Sequence, residues 1–300
     1  MTLSSRELKR LAAEAGFDLC GVAPATELDG FGPRLERWLD EKMNGTMGYM
    51  ERNAAMRADP RLLVPDARSV ISVAVAYKPD RTMCGRHKIA QYAYGRDYHE
   101  VLKERLHHLI AMLRERWPSF EAKACVDTVP ISDKLWAARA GLGWIGRNTL
   151  LVTPQFGSYV NLGELVTTSE FDTYDTPIEN QCGDCHRCVD ACPNHALDRS
   201  ESLGLAATQC TAYQTIERDG VVLRSALHRP NYVFGCDSCQ LACPWCASSP
   251  AVRTVTDQRM SELEALPDAS ESDFRRLTAH TPLSRITYTH WRENCGNQTK

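Results

Sequence analysis

The sequence predicts a mixed α/β domain of the α+β kind over residues 1–170, then a small cysteine-rich module over 171–250 and a short, partly helical tail over 251–300. In the first part, apolar residues recur with helical spacing in some segments and alternate in others, which indicates helices layered on one sheet. Eight of the thirteen cysteines lie between Cys182 and Cys243. Beyond Ser248 the chain is polar and weakly patterned, which favours one or two helices.

The elements of the first part follow from local signals. Ser4 and Glu7 form a capping box, and the apolar residues after it share one helical face as far as Gly16, a residue typical of a helix C-terminus. Apolar periodicity predicts further helices over 33–43, 98–117 and 132–140, and strands over 17–22, 69–77, 121–126, 149–153 and 158–168. The loop Pro154–Gly157 predicts that the last two strands form a hairpin.

The cysteine spacing has the pattern of a two-cluster, ferredoxin-like module. The cysteines fall into a CxxCxxCxxxCP run, a lone residue and a CxxCxxxCP run. In such runs the last cysteine serves the other cluster. The rule assigns one [4Fe–4S] cluster to Cys182, Cys185, Cys188 and Cys243, and a second to Cys192, Cys210, Cys236 and Cys239.

Zinc and disulfides are weaker interpretations of these cysteines. One zinc ion needs only four ligands, so it rarely uses a run of this length. A chain of 300 residues has the length for a hydrophobic core and does not need disulfides to hold it. Cys246 follows the second run closely, but the cysteine–proline rule favours Cys243 as the ligand.

Composition points to a soluble protein. Hydrophobic residues make up 43% of the chain and charged residues 24%, and the net charge is −3. No apolar run reaches the roughly 20 residues of a membrane span. The charged amino terminus lacks the apolar stretch of a secretory leader, and cluster thiols suit a reducing compartment, so we expect a cytoplasmic location. The stretch from Arg81 to Arg116 is basic, either as a solvated helix face or as a patch for an anionic partner such as RNA.

Further segments precede the cysteines in a distinctive order. They read YAYGRDYH at 92–99, VDTVP at 126–130, AGLGWIG at 140–146, GSY at 157–159 and LGEL at 162–165. With the cysteine runs, they resemble the epoxyqueuosine reductases over about residues 5–250. The resemblance implies an oxidoreductase of queuosine biosynthesis that reduces epoxyqueuosine in tRNA to queuosine. It also implies cobalamin bound between the N-terminal domain and the cluster module.

The resemblance assigns residues to the site. Asp127 matches the family's VD[ST]xP aspartate and would donate a proton to the departing oxygen, for which burial would have to raise its pKa. Arg57 matches an arginine that contacts the cofactor. Leu151, Leu162 and Ala212 match further cofactor contacts, although a plain core position is the competing interpretation for both leucines.

Two other functions remain open from the sequence. A related corrinoid enzyme could reduce a small molecule, as dehalogenases do, and a non-enzymatic electron-transfer protein could use the first domain only for docking. For the reductase we expect a flavodoxin or ferredoxin as electron donor, no membrane partner and a monomeric chain. Many family members continue into a helical-repeat domain that grips tRNA, of which residues 291–297 resemble only the beginning.

Overall fold

A four-stranded antiparallel sheet with helices on both faces forms the first 170 residues. The computed structural model describes residues 2–218 and 231–296. In chain order the elements of this part are β1 (Thr2–Leu3), α1 (Ser5–Glu14), β2 (Leu19–Pro24), α2 (Phe31–Asp40), α3 (Ala54–Ala58), β3 (Ser69–Ala76), β4 (Lys88–Ile89), α4 (Tyr98–Arg116), β5 (Ala122–Cys125), α5 (Asp133–Arg139), β6 (Trp144–Ile145), β7 (Leu151–Val152), β8 (Val160–Thr167) and β9 (Glu170–Phe171).

The sheet has the order β2–β3–β8–β5, with every neighbouring pair antiparallel. Helices α1 and α4 pack Leu8 and Leu106 against Ile71 on one face. Helix α5 packs Trp136 against Val70 on the other. Alternate residues of β3 thus enter two different cores, as the pleat requires. This arrangement confirms the predicted mixed α/β class, and α1 begins at the predicted cap, where the Ser4 side chain accepts from the Glu7 amide at 3.4 Å.

The predicted hairpin between residues 149–153 and 158–168 is wrong. Strand β7 pairs with β6, while β8 pairs with β3 and β5. Only a single bridge joins Thr153 to Gly157. Gly143 permits the β6–β7 pairing, because a Cβ at that position would lie 2.1 Å from the Val152 carbonyl oxygen. Sequence alternation found the strands, but it carries no information on which strand is the partner.

The cysteine module consists of loops and short elements, as predicted. Its elements are α6 (Arg187–Asp190), α7 (Thr211–Ile216), β10 (Tyr232–Phe234), α8 (Ser238–Leu241) and α9 (Pro244–Ser248). The segment from Asp172 to Pro177, which leads into the module, is fastened to the sheet domain. Asp175 accepts from the Val22 amide at 2.9 Å and pairs with Lys9. The module is therefore held in a fixed position beside the sheet.

The C-terminal part is a packed helical unit. It contains α10 (Asp257–Ala265), α11 (Glu271–Thr278) and α12 (Tyr288–Gly296), where the sequence predicted one or two helices. Phe274 and Trp291 are buried together with Phe234 of β10. The number of helices was underestimated because their apolar residues are few and each helix is short, so burial depends on contacts with β10. Within the described ranges, no helix is both long and apolar enough to cross a membrane.

A buried carboxyl pair lies between β8 and α5. The Glu164 side chain is fully buried, and neither of its oxygens has a hydrogen-bond donor among the described residues. Its carboxyl faces that of Asp133. Burial raises the pKa of Glu164 well above its ordinary range, and repulsion from Asp133 adds to the shift. Burial also raises the pKa of Asp133. We infer that the pair is protonated on Glu164 near neutral pH, since two adjacent buried charges would be costly.

We expect Glu164→Gln to flatten the pH dependence of stability. At pH values above the ordinary glutamate pKa of about 4.3, a carboxyl whose pKa is raised by folding holds its proton in the folded state and loses it in the unfolded state. The free energy of unfolding therefore falls with rising pH, by up to about 1.4 kcal/mol per pH unit for one such group. Glutamine cannot ionise and loses this contribution. Thermal unfolding under argon, from about pH 5 to about pH 8, measures the difference.

The matched control is Glu36→Gln, a glutamate on the exposed face of α2. It should keep the wild-type pH dependence. An equally steep loss of stability with pH in Glu164→Gln would contradict the protonated pair.

Candidate active site

Two sets of four cysteines each line a cavity. Cys182, Cys185, Cys188 and Cys243 surround a cavity of about 220 Å³. Cys192, Cys210, Cys236 and Cys239 line a larger cavity of about 430 Å³. These are the two sets that the spacing predicts. Each set combines residues from both cysteine runs, so the packing of α6 against α8 is what brings the ligands together.

The donor chemistry of both sets fits a cluster. Among the described residues, no three His, Cys, Asp or Glu side chains converge as they would around a single metal ion. The thiols stand instead around open space, and a [4Fe–4S] cluster needs that arrangement because it is ligated by four cysteines, one on each iron. The chain around Cys182 and Cys185 is exposed at Gln181, Gly183 and Asp184, whereas the other set lines the larger cavity.

The larger cavity, called here the inner cavity, lies between the sheet domain and the cysteine module. Its walls are partly apolar, with Leu150, Val160 and Leu162 on one side and Ala212 and Ile216 on the other. Leu162 and Ala212 therefore lie where the sequence predicted a cofactor contact. Leu151 is different, because it is 2% exposed and packs in the core beneath α5, while its neighbour Leu150 lines the cavity.

A second cavity of about 520 Å³, the outer cleft, continues from the inner cavity towards the surface. Both are lined by Tyr92, Tyr98, Asp127 and Ile216. The outer cleft also contains Arg57, which donates to the Tyr49 carbonyl at 3.1 Å. The Nε of Arg57 is buried and has no hydrogen-bond partner among the described residues. That N–H is available to a bound ligand.

Asp127 lies at the junction of the two cavities. It follows β5 and adopts a left-handed backbone conformation, with φ of 46°, which aspartate tolerates better than most residues. Its side chain is 48% exposed, and Oδ2 lies 3.0 Å from Nε2 of His99. A carboxyl in this position can reach a ligand in the cleft while remaining bonded to the wall.

The expectation that burial raises the pKa of Asp127 is wrong in this state of the protein. Partial burial does favour the neutral acid, but the hydrogen bond and charge of His99, together with the charge of Arg285, outweigh it and lower the pKa. Arg285 comes from the C-terminal unit and lines the outer cleft. The sequence could not indicate this, because the partners lie far along the chain.

His99 bridges Asp127 and Asp97. Its Nδ1 lies 2.7 Å from Oδ1 of Asp97, so the ring stands between two carboxylates. Burial opposes the charged ring, but hydrogen bonds to Asp127 and Asp97 raise the pKa of His99 above its ordinary value. When the ring is protonated, both ring nitrogens donate and the imidazolium is held in a single orientation. The three side chains form what we call the acid relay, Asp97–His99–Asp127.

The sequence pointed to only part of this site. His99 lies in the segment at 92–99 that carries the family resemblance, but the sequence assigned it no role. The local signal for its position is Asp97, whose side chain caps α4 by accepting from the His99 amide at 2.9 Å. No sequence signal connects Arg285 to the cleft.

Comparisons with known proteins match both parts of the chain. Residues 57–128 match the family model described as epoxyqueuosine reductase QueG, DUF1730. Residues 181–246 match the 4Fe-4S double cluster binding domain. The second match confirms that this part of the chain binds two iron–sulfur clusters.

Relatives and solved structures match over most of the chain. The epoxyqueuosine reductase of Cellulophaga algicola is 41% identical over 96% of this chain and 95% of its own length. That of Leadbetterella byssophila is 40% identical over 80% of this chain and 79% of its own. The structure of the Streptococcus thermophilus enzyme has a TM-score of 0.84 at 30% identity, covering 98% of this chain and 80% of that one. A structure of an epoxyqueuosine reductase with an epoxyqueuosine-modified tRNA-Tyr stem loop has a TM-score of 0.81 at 30% identity, over 98% of this chain and 79% of that one.

Single cysteine substitutions should remove one cluster at a time. Cys182→Ala is expected to reduce the iron content from about eight to about four per chain and to leave the cluster of the inner cavity. Cys236→Ala should remove the other cluster and keep the first. Iron analysis and electron paramagnetic resonance of anaerobically prepared protein distinguish the two.

Cys84→Ala is the control, because Cys84 is exposed and belongs to neither set. It should keep both clusters. If Cys182→Ala and Cys236→Ala gave the same residual cluster signal, the division of the cysteines into these two sets would be refuted.

Proposed function

This chain belongs to the epoxyqueuosine reductase family, and on that premise we propose that it reduces epoxyqueuosine in the anticodon of tRNA to queuosine. The observation that carries the proposal is the inner cavity, which has cluster cysteines along one wall and Asp127 at its mouth. Family membership identifies an oxidoreductase, so a purely electron-carrying role is set aside.

The inner cavity is the proposed site of cobalamin. Its apolar walls suit the faces of a corrin ring, and the unpartnered Nε–H of Arg57 in the adjoining outer cleft suits an amide or phosphate oxygen. Leu150, Leu162 and Ala212 would pack against the ring. When bound, the cofactor supplies the two-electron reducing chemistry that single-electron clusters lack.

The acid relay supports the proton part of the reaction. Converting an epoxide to an alkene and water consumes two electrons and two protons. Asp127 is the group that faces the cleft, and His99 stores a proton on Nε2, 3.0 Å from Asp127 Oδ2. We assign Asp127 as the donor to the departing oxygen, with His99 resupplying it. Asp97 keeps the ring in place and stabilises its charge.

The outer cleft is the proposed place of the modified nucleotide. It is about 520 Å³ in volume and opens directly on Asp127. Lys103, from the basic stretch, lines it and can attract backbone phosphates of the anticodon loop, while Arg285 lines it as well but pairs with Glu217. Elsewhere in the basic stretch, charges are internally paired, since Arg96 pairs with Glu104 and Arg81 with Asp257. Those arginines therefore favour a structural role over RNA binding.

The remaining partners follow from the same arrangement. A one-electron donor such as a flavodoxin or ferredoxin would approach the cluster of Cys182 and Cys185, because the chain around these residues is exposed at Gln181, Gly183 and Asp184. We further propose that the protein acts as a monomer in the cytoplasm, a reducing compartment that suits cysteines without disulfides.

Asp127→Asn should abolish turnover without emptying the site. Asparagine keeps the shape of the side chain but cannot give up a proton, so we expect the rate to fall by about 10²- to 10⁴-fold. The assay follows conversion of epoxyqueuosine to queuosine in tRNA with a chemical reductant, under single-turnover conditions. Absorbance of bound cobalamin and of the clusters should match the wild type.

Asp40→Asn, on the exposed end of α2, is the matched control and should keep wild-type activity. Full turnover by Asp127→Asn would remove the residue from the reaction, whereas absence of cobalamin absorbance in both proteins would instead refute the cofactor proposal.

His99→Gln should change the pH profile of the reaction. In the wild type, activity should fall as pH rises through the raised pKa of His99, above the ordinary 6.5, because the relay loses its proton there. Glutamine cannot carry that proton, so the variant should be slower at low pH and lose this alkaline limb. His107→Gln, on the exposed face of α4, should keep the wild-type profile. Superimposable profiles for His99→Gln and wild type would contradict the relay.

A further inference from the structure

Cys246 is a buried thiol immediately behind one of the cluster cysteines. It is 1% exposed and lies one helical turn after Cys243, at the start of α9. Its amide donates to the Cys243 carbonyl at 3.1 Å. Cys243 lines the smaller cavity and Cys246 does not, so Cys246 stands behind the ligand set and outside it.

The loop before β8 is shaped to receive this thiol. Ser158 approaches Cys246 Sγ with its amide nitrogen at 3.3 Å and its hydroxyl at 3.1 Å. Gly157 has φ of +55°, and a Cβ there would lie 2.8 Å from Cys246 Cα and 2.9 Å from its Sγ. Only glycine permits this approach, which accounts for the first two residues of the Gly157-Ser158-Tyr159 segment.

The hydrogen bonds at this site run in one direction. Gln240 Nε2 donates to the Ser158 hydroxyl at 3.1 Å and to its carbonyl at 3.0 Å. Because the hydroxyl oxygen accepts from Gln240, its own proton is free to point at Cys246 Sγ. The Ser158 amide donates to the Cys246 sulfur, and the Ser158 hydroxyl can donate to it as well. Cys243 packs against Cys246 on its other side, so the S–H of Cys246 can be directed at the Cys243 sulfur.

We propose that Cys246 is a positioning residue of the cluster held by Cys182, Cys185, Cys188 and Cys243, and that its S–H donates to the Cys243 sulfur and makes this cluster easier to reduce. Reduction adds negative charge to the cluster and its thiolates, so a donor aimed at a ligating sulfur stabilises the reduced form. The inference rests on the proposed ligand sets.

The proposal concerns electron entry. The chain around this cluster is exposed at Gln181, Gly183 and Asp184, so an external donor can approach it, and the potential of the cluster governs how readily that donor can charge it. Ser158 and Gln240 also line the inner cavity, and Gln240 Nε2 binds the Tyr77 hydroxyl at 3.0 Å. The same chain of hydrogen bonds therefore links the Cys243 sulfur to the wall of the proposed cofactor site.

The test is a potentiometric titration of anaerobically prepared holoprotein, followed by electron paramagnetic resonance. Cys246→Ala should keep the iron of both clusters, shift one midpoint potential to a more negative value and leave the other unchanged. Cys246→Ser, which retains a hydroxyl donor, should restore most of the shift. Ser158→Ala should shift the same potential in the negative direction by less, because Cys246 then loses the group that orients it.

Cys295→Ala is the matched control, since Cys295 is also buried but packs in the C-terminal unit. It should leave both potentials unchanged. Wild-type potentials in Cys246→Ala and Ser158→Ala would overturn the proposal. The proposal would also be overturned if Cys246→Ala lost a cluster while Cys243→Ala kept both clusters, because Cys246 would then be the ligand. Loss in Cys243→Ala alone supports the ligand set independently of the shift.

Discussion

The inner cavity lies where the sheet domain meets the cysteine module, and this placement suits a reaction that takes electrons from one side and protons from the other. Cysteines of the module line one wall of the inner cavity, while Asp127 stands at its mouth. The sheet holds Asp127 rigidly, because Asp127 directly follows β5 and β5 is paired along β8. The cysteine wall is held in place by Asp175, which ties the leading segment of the module to β2. Neither part forms the cavity alone.

A carboxyl with a low pKa can still serve as an acid when its proton is stored nearby. Although burial opposes both shifts, His99 and Arg285 lower the pKa of Asp127, and the two neighbouring carboxylates raise that of His99, so a proton shared by the pair is favoured on the imidazole. Substrate and cofactor would displace water from the cleft, which raises the free energy of the charged pair formed by the His99 imidazolium and the Asp127 carboxylate. Transfer of the proton from His99 to Asp127 removes both charges and is therefore favoured. A lowered pKa before binding and proton donation after binding are therefore compatible.

The sequence indicated the features that depend on local spacing. The cysteine runs defined the two ligand sets because cluster geometry fixes both the residue type and the interval, and the 3.6-residue period located α1 and α4. Features that depend on long-range contact could not be found in this way. The partner of β7, the protonated Glu164 beside Asp133, and the approach of Arg285 to Asp127 all join residues that no local pattern connects. The family resemblance indicated the role of Asp127. The role of His99 depends on its contact with Asp127 in the folded chain, which no sequence pattern shows.

The C-terminal unit completes the cleft, although its sequence is weakly patterned. Glu217, at the end of α7, pairs with Arg285 at 2.8 Å and accepts from the Tyr49 hydroxyl at 3.4 Å. One carboxylate thus connects the sheet domain, the cysteine module and the C-terminal helices at the edge of the outer cleft. Arg285 is half-exposed, so the ion pair contributes little to stability by itself. Its effect is positional: it holds a guanidinium near Asp127, where that charge helps keep the carboxylate ionised until a ligand enters. The buried contacts of Trp291 and Phe274 with Phe234 supply the stability, and the ion pair fixes the orientation.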